Sequence, residues 1–181
     1  MLSKDSDWAR DEEELNRILG LLAAAVRVEE RGRDYYRRLS ECIGDREGKI
    51  ILASLADDEM RHRSWLAHQI DRIFPGKDPA SIEPDRRYAD IVSQRIFPDL
   101  APGACLAPKD EVKAVEAAIE VEKASVRMYL EVAGITADTE LKDMMHRLAE
   151  WEKGHQKLLE ENLHYLKRGG SWYGYTPILD G

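Results

Sequence analysis

Cysteine is scarce in this chain, with two residues, Cys42 and Cys105, in a sequence of 181. They lie far apart and no C-x-x-C pair occurs, which excludes a thiolate-bound zinc or iron site of the usual spacing. We therefore expect two reduced thiols, as in a protein of the cytoplasm.

Long apolar runs are missing as well. The longest, residues 18–26, is far shorter than the ~20 residues that a transmembrane helix needs. The first 15 residues are acidic and lack the apolar stretch of a signal peptide. The net charge of −8 disfavours binding to nucleic acid or to an anionic membrane. These absences predict a cytoplasmic protein with neither nucleic acid nor a membrane as a partner.

Aromatic residues and prolines are few and unevenly placed. Aromatic residues make up 7% of the chain and charged residues 34%, a mix that favours long helices with solvated faces over sheets. Six of the seven prolines lie within residues 75–108. Proline costs ~3 kcal/mol inside a helix, so the long stretches on either side of this segment are free to be helical.

Each of these stretches predicts a helical hairpin, because the apolar residues recur with a helical period and a break falls in the middle. Asp45 and Asp138 are predicted N-caps, Gly134 is predicted to end the third helix, and Pro108 fits the first turn of that helix. The predicted helices span residues 8 or 11 to 42, 45–73, 109–134 and 138–167.

Two tight hairpins joined by one long crossover predict an all-α, antiparallel four-helix bundle. The bundle would occupy residues 1–168, with a crossover at 75–108 that holds a short helix near 85–96. The segment 169–181 forms an aromatic C-terminal tail, which we expect to pack over the bundle or on a dimer mate.

Six residues with metal-binding side chains form two sets of three, separated by 93 positions. The first set is Glu29, Glu59 and His62, and the second is Glu122, Glu152 and His155. The segments 18–66 and 111–159 align without a gap, and further identities, such as Leu55 with Leu148, follow the same offset. The sequence therefore predicts one hairpin that occurs twice, each copy with two carboxylates and one imidazole.

The spacing predicts that all six side chains meet in the bundle core. Residues three apart on a helix share a face, so each Glu-x-x-His pair can point at one ion, while Glu29 and Glu122 enter from the other two helices. Four carboxylates balance two divalent ions, and this pattern is that of di-iron and di-manganese bundles. Ligands without thiolate favour iron or manganese. We predict two iron ions per chain, with manganese or a polar core that has lost its metal as alternatives.

Five other residues call for a separate interpretation. A third Glu-x-x-His match, Glu161 and His164, lies outside the repeat, and we expect both residues to be exposed. Tyr36 and Tyr129 each follow a predicted ligand glutamate by seven residues, two helical turns. Their hydroxyls can hydrogen-bond ligand carboxylates; the alternative is an ordinary core aromatic at each position. Trp65, three residues after His62, is expected to pack structurally.

The chain resembles the rubrerythrin-like group of the ferritin-like superfamily over roughly residues 15–167. The motifs that carry the resemblance are VEERGRDYY at 28–36, LADDEMRH at 55–62, VEKASVRMY at 121–129 and LAEWEKGH at 148–155. The resemblance implies that Glu59 and Glu152 bridge two irons and that the other two glutamates are terminal ligands. Each histidine would complete one iron.

Two departures from the family pattern bear on activity. Rubrerythrins usually carry a C-terminal rubredoxin domain, whose four cysteines are absent here, and an extra glutamate three residues after the ligand of the third helix, where this chain has Ser125. What the resemblance still implies is a non-haem di-iron oxidoreductase that reacts with O₂ or H₂O₂, as in defence against oxidative stress, with an external electron donor. It also implies a homodimer.

Three alternatives stay open at this point. The chain can be a ferroxidase that handles iron, a di-manganese catalase, or a bundle in which the metal ions only hold the helices together. An assembly that stores iron is less well supported, because few residues follow the fourth helix and two glycines come first.

Overall fold

The computed structural model describes residues 12–92, 107–137 and 139–172. Four long helices dominate this part of the chain, and no strand occurs within it. The long helices are α1 (Glu12–Cys42), α2 (Arg46–Ile73), α4 (Pro108–Ile135) and α5 (Thr139–Leu166). Between the two hairpins lie two 3₁₀ turns, Pro79–Ser81 and Arg86–Tyr88, and the single-turn helix α3 (Ala89–Val92).

The helix ends follow local chemistry closely. Asp45 caps α2, where its Oδ1 accepts a hydrogen bond of 2.9 Å from the Gly48 amide, and Pro108 opens α4. The sequence predicted that Gly134 ends α4. The helix instead continues to Ile135, and the Thr136 amide still donates to the Val132 carbonyl. The predicted cap at Asp138 lies outside the described residues, as do residues 1–11.

The described part of the crossover lies along α1. The Asp85 amide donates to the Gly20 carbonyl at 3.0 Å, and Arg27 donates to the Ala80 carbonyl at 2.9 Å. A side chain at position 20 would touch the crossover backbone, since a Cβ there would lie 3.4 Å from the Glu83 carbonyl oxygen. The helix predicted near 85–96 is present as one 3₁₀ turn followed by α3, and residues 93–106 lie outside the described part.

Two apolar clusters fill the interior, one towards each end of the bundle. The first draws on α1 before Glu29, the end of α2, the end of α4 and the start of α5; the second draws on the opposite halves of the same helices. Leu22, Leu66 and Met145 belong to the first cluster, and Leu39 and Leu55 to the second. On every long helix a buried polar level therefore separates the two clusters.

The first residues of the predicted tail reach back to the bundle. Trp172 is buried and belongs to the second apolar cluster. Its ring lies against Gly48 of α2, and its Nε1 lies 3.4 Å from Glu111 Oε2 of α4. Trp172 thus contacts both hairpins, and residues 173–181 lie outside the described part.

Other predictions from the sequence concern the cysteines and membrane-spanning helices. Cys42 is buried, and Cys105 falls outside the described residues. Among the helices that the structure describes, none combines the length and the apolar character that crossing a bilayer requires.

Candidate metal centre

The polar level between the two apolar clusters holds all six side chains that the sequence singled out. α1, α2, α4 and α5 supply them, and each is at most 5% exposed. They fall into two overlapping groups, and within each group one ligand atom per residue lies within 4.8 Å of the others. The first group is Glu29, Glu59, His62 and Glu152, and the second is Glu59, Glu122, Glu152 and His155.

Each histidine directs its Nδ1 atom at three carboxylates. His62 Nδ1 lies 3.3 Å from Glu29 Oε2 and 3.1 Å from Glu152 Oε1. His155 Nδ1 lies 3.3 Å from Glu152 Oε2 and 3.7 Å from Glu122 Oε1. The two oxygens of Glu152 therefore face different histidines, as a carboxylate that bridges two ions would.

Glu59 is shared in the same way. Its Oε2 lies 3.5 Å from His62 Nδ1 and its Oε1 lies 3.4 Å from His155 Nδ1. Gly32 makes room for it, because a Cβ at position 32 would stand 3.1 Å from the Glu59 carboxyl carbon. Ser125, the repeat equivalent of Gly32, turns its hydroxyl to the Val121 carbonyl at 3.1 Å.

Four buried polar atoms at this level make no hydrogen bond of acceptable geometry. An unsatisfied buried polar atom costs about 1–3 kcal/mol, and these four all face the space shared by the two groups. Metal ions there would give each of them a partner, so the donor set fits a metal site. The atoms are Glu29 Oε2, Glu152 Oε1 and the Nδ1 atoms of His62 and His155.

The four carboxyl groups fall into two kinds, according to whether their pKa is raised or lowered. Burial, reinforced by nearby carboxylates, raises the pKa of Glu29 and of Glu122 well above the usual range. Burial also raises the pKa of Glu152, but its contacts with the two histidines outweigh this effect and hold that pKa well below the usual range. The pKa of Glu59 is lowered for the same reason.

The imidazoles respond to the same contacts in the opposite sense. Burial lowers the pKa of His62, but the contacts with Glu152, Glu29 and Glu59 outweigh it and raise the pKa to about 12. His155 follows the same pattern, with its pKa raised well above the usual range. Without metal, these directions favour protonated imidazoles beside ionised Glu59 and Glu152.

Metal loading at pH 7 will therefore release protons. Metal ligands must be deprotonated, while the raised pKa values of Glu29, Glu122, His62 and His155 favour their protonated forms. Up to four protons leave, one from each side chain, and the affinity for metal falls as the pH falls. Calorimetry in buffers of different ionisation enthalpy measures the number. A binding enthalpy that does not depend on the buffer would contradict this prediction.

The two tyrosines reach the centre across the bundle. The hydroxyl of Tyr36 donates to Glu122 Oε1, and that of Tyr129 donates to Glu29 Oε1. Each tyrosine thus bonds a glutamate of the other hairpin, not the one seven residues earlier on its own helix. Burial and the adjacent carboxylates raise both tyrosine pKa values well above the usual range, so the hydroxyls are neutral donors.

Sequence reasoning missed two residues beside the histidines. The ring of Trp151 stacks on His62 with 4.7 Å between centroids and 8° between planes, and Asp58 Oδ2 lies 3.8 Å from His155 Nε2. Asp58 precedes Glu59 as Trp151 precedes Glu152, so the 93-residue offset could have revealed both. Trp65 packs edge-on against Trp151, with 5.4 Å between centroids.

The third Glu-x-x-His match stays away from the centre. Glu161 and His164 are both exposed on the last turns of α5. Neither belongs to the two groups of potential ligands found among the described residues.

A four-helix bundle with a buried carboxylate and histidine site at its middle defines a class of metal-binding proteins. The sequence model of the family named Rubrerythrin matches residues 20–163. The chain therefore belongs to the rubrerythrin family. The search of curated proteins gave no match.

Solved structures share this fold. A hypothetical protein from Pyrococcus furiosus superposes with a TM-score of 0.71 at 25% identity, covering 86% of this chain and 93% of that one. A dodecameric thioferritin, a bacterioferritin-related protein from Bacteroides fragilis, gives 0.64 at 16% identity, covering 84% and 88%. The third, from Anabaena variabilis, is a two-domain protein with DJ-1/ThiJ/PfpI-like and ferritin-like domains. It gives 0.63 at 14% identity over 91% of this chain and 43% of that one. The fold is thus ferritin-like.

Proposed function

We propose that the centre binds two iron ions and that the protein is a non-haem di-iron oxidoreductase that reduces O₂ or H₂O₂. The observation that carries the proposal is the pair of overlapping ligand groups, which share Glu59 and Glu152 and leave one histidine to each. Two bound irons would supply the redox chemistry for this reduction. Electrons would come from an external donor.

The chain's own residues would hold and shield that pair of ions. Glu59 and Glu152 present one oxygen to each position, so they would bridge the ions, while Glu29 and Glu122 would each bind one. Tyr129 would fix Glu29 by donating to Oε1, which leaves Oε2, the oxygen that faces His62, for metal. Tyr36 would fix Glu122 by donating to its Oε1. The apolar clusters on both sides keep bulk water away from the level.

The test begins with an anaerobic Fe(II) titration, followed by exposure to O₂ and then to H₂O₂ while the absorption of the oxidised irons is recorded. We expect two irons per chain and rapid oxidation. The double substitution Glu59→Gln and Glu152→Gln will abolish both, because each replaced side chain serves two ions. The matched control is Glu161→Gln, which makes the same change at an exposed glutamate of the third Glu-x-x-His match. Oxidation that proceeds unchanged in the double variant would refute the proposal.

The same titration separates the competing functions. Fe(II) oxidation that continues beyond two irons per chain without added reductant would point to a ferroxidase. Breakdown of H₂O₂ by the manganese form alone would point to a catalase, and binding without oxidation would point to a purely structural role.

We also propose that the protein forms a homodimer, as the family resemblance implies. The dodecameric state of the Bacteroides fragilis thioferritin shows that this fold supports symmetric assembly in another protein. Light scattering at several concentrations separates a dimer from larger assemblies.

A further inference from the structure

The internal repeat is broken at a pair of positions beside the two histidines of the centre. Position 58 on α2 and position 151 on α5 are equivalent under the 93-residue offset, and each precedes a shared glutamate. Asp58 occupies the first and Trp151 the second, so one histidine has a carboxylate beside it where the other has an indole ring.

The carboxylate of Asp58 lies beside His155 and is itself bound by an arginine. Asp58 Oδ2 lies 3.8 Å from His155 Nε2, the ring atom that points away from the shared space. The other oxygen of Asp58 accepts from Arg61, one turn later on α2. The Asp58 side chain is only 16% exposed, against 70% for Arg61, so the carboxylate is partly withdrawn from water.

His62 lies in a different environment. Its ion-pair contacts within the described residues all run through Nδ1 to carboxylates of the centre. The face of its ring is covered by Trp151, nearly parallel at 8°. An indole face carries no net charge and supplies no carboxylate acceptor.

A carboxylate at the outer N–H of a metal-bound histidine fixes the ring and makes the inner nitrogen a stronger ligand. Removal of such a partner typically lowers metal affinity about 10- to 100-fold. Asp58 lies within ion-pair distance of His155 Nε2, at 3.8 Å, whereas His62 has an aromatic ring at the equivalent place. With metal bound, the two imidazoles would therefore differ in donor strength.

We infer that the two metal positions are unequal, and that the position served by His155 and Glu122 binds a divalent ion more tightly and fills before the position served by His62 and Glu29. Asp58 is the positioning residue that creates the difference. The inference rests on the proposed two-metal site and adds the order in which it fills.

The test is an anaerobic Co(II) titration of the full metal-free chain by calorimetry. We expect two binding events of unequal affinity in the natural protein. Asp58→Asn, which keeps the size of the side chain, will weaken the tighter event about 10- to 100-fold and leave the weaker one within about twofold. Asp57→Asn removes the same charge from an exposed neighbour on α2 and will change neither event.

Proton NMR identifies which histidine binds first. With one equivalent of Co(II), the shifted exchangeable imidazole N–H resonance will be that of His155, recognised by its absence in His155→Gln. In Asp58→Asn this proton will exchange faster with water, an effect that a merely structural role of Asp58 would not produce.

The outcomes separate this inference from the function it rests on. If the natural chain binds neither Co(II) nor Fe(II), the two-metal site itself is wrong. Two ions bound with an affinity that Asp58→Asn leaves unchanged, or changes no more than Asp57→Asn does, would overturn the inequality alone. If the imidazole N–H shifted by the first equivalent of Co(II) belongs to His62, the order of filling is reversed and the inference is also overturned.

Discussion

Two divalent ions, the number proposed for the centre, will raise the free energy of unfolding by about 4 kcal/mol each when the free metal is a thousandfold above its dissociation constant. The reason is that the ligands come from four helices and meet only in the folded chain, so the unfolded chain offers no equivalent site. In a protein of this size, a total of about 8 kcal/mol corresponds to a rise of roughly 16–32 °C in Tm. Anaerobic thermal unfolding with Mn(II) and with a chelator measures it.

The control for this prediction is the double substitution Glu29→Gln and Glu122→Gln. The raised pKa values already favour neutral carboxyl groups at both positions without metal, and a glutamine Oε1 can still accept the hydrogen bonds from the tyrosines. We therefore expect the metal-free variant to stay within about 1 kcal/mol of the metal-free natural protein, while it gains almost nothing from metal.

Two results would contradict this account of the centre. Equal stabilisation of both proteins by Mn(II) would mean that the ions bind elsewhere. Unfolding of the metal-free variant would mean that the two carboxyl groups stabilise the helices by themselves.

The fold and the clustering of the six side chains could be predicted because both rest on local or repeated patterns. Prolines confined to 75–108 located the crossover, and the Asp45 cap set the start of α2. The 93-residue offset selected six side chains, and a helical period then placed them on inner faces. The exposure of Glu161 was predicted from the same offset, because the equivalent position in the first half is His68 and not a glutamate.

The contacts around the ligands could not be predicted because they join helices whose relative rotation no local pattern encodes. Spacing placed Tyr36 near Glu29 on its own helix, yet its hydroxyl crosses to Glu122. The role of Gly32 depends on how closely α2 approaches α1. The end of α4 was also predicted one residue too early. The helix ends just after Gly134, but Thr136 makes the capping contact.

Removal of the Trp172 ring will destabilise the bundle by about 3–5 kcal/mol, the usual cost of truncating a buried aromatic residue to alanine. Trp172 is 5% exposed and contacts both hairpins, through Gly48 on α2 and Glu111 on α4. Glu111 also accepts from the Gly44 amide at 3.4 Å, so the same carboxylate joins the α1–α2 turn to the tail. Chemical unfolding of Trp172→Ala measures the loss, and a change below about 1 kcal/mol would show that the ring contributes little.

Gly48→Ala tests the same contact from the other side. A Cβ at Gly48 would stand 2.7 Å from the Trp172 ring, closer than atoms can approach, so the ring must leave its place. Gly134→Ala is the matched control, because it is the same change on a helix with nothing within 4 Å of the new Cβ. Helix propensity alone favours alanine by about 1 kcal/mol at an interior position. We therefore expect Gly134→Ala to be neutral or stabilising and Gly48→Ala to be destabilising, with tryptophan emission shifted to the red. We expect both variants to bind metal normally, since Trp172 belongs to the apolar cluster beside the polar level and lies against Gly48 and Glu111.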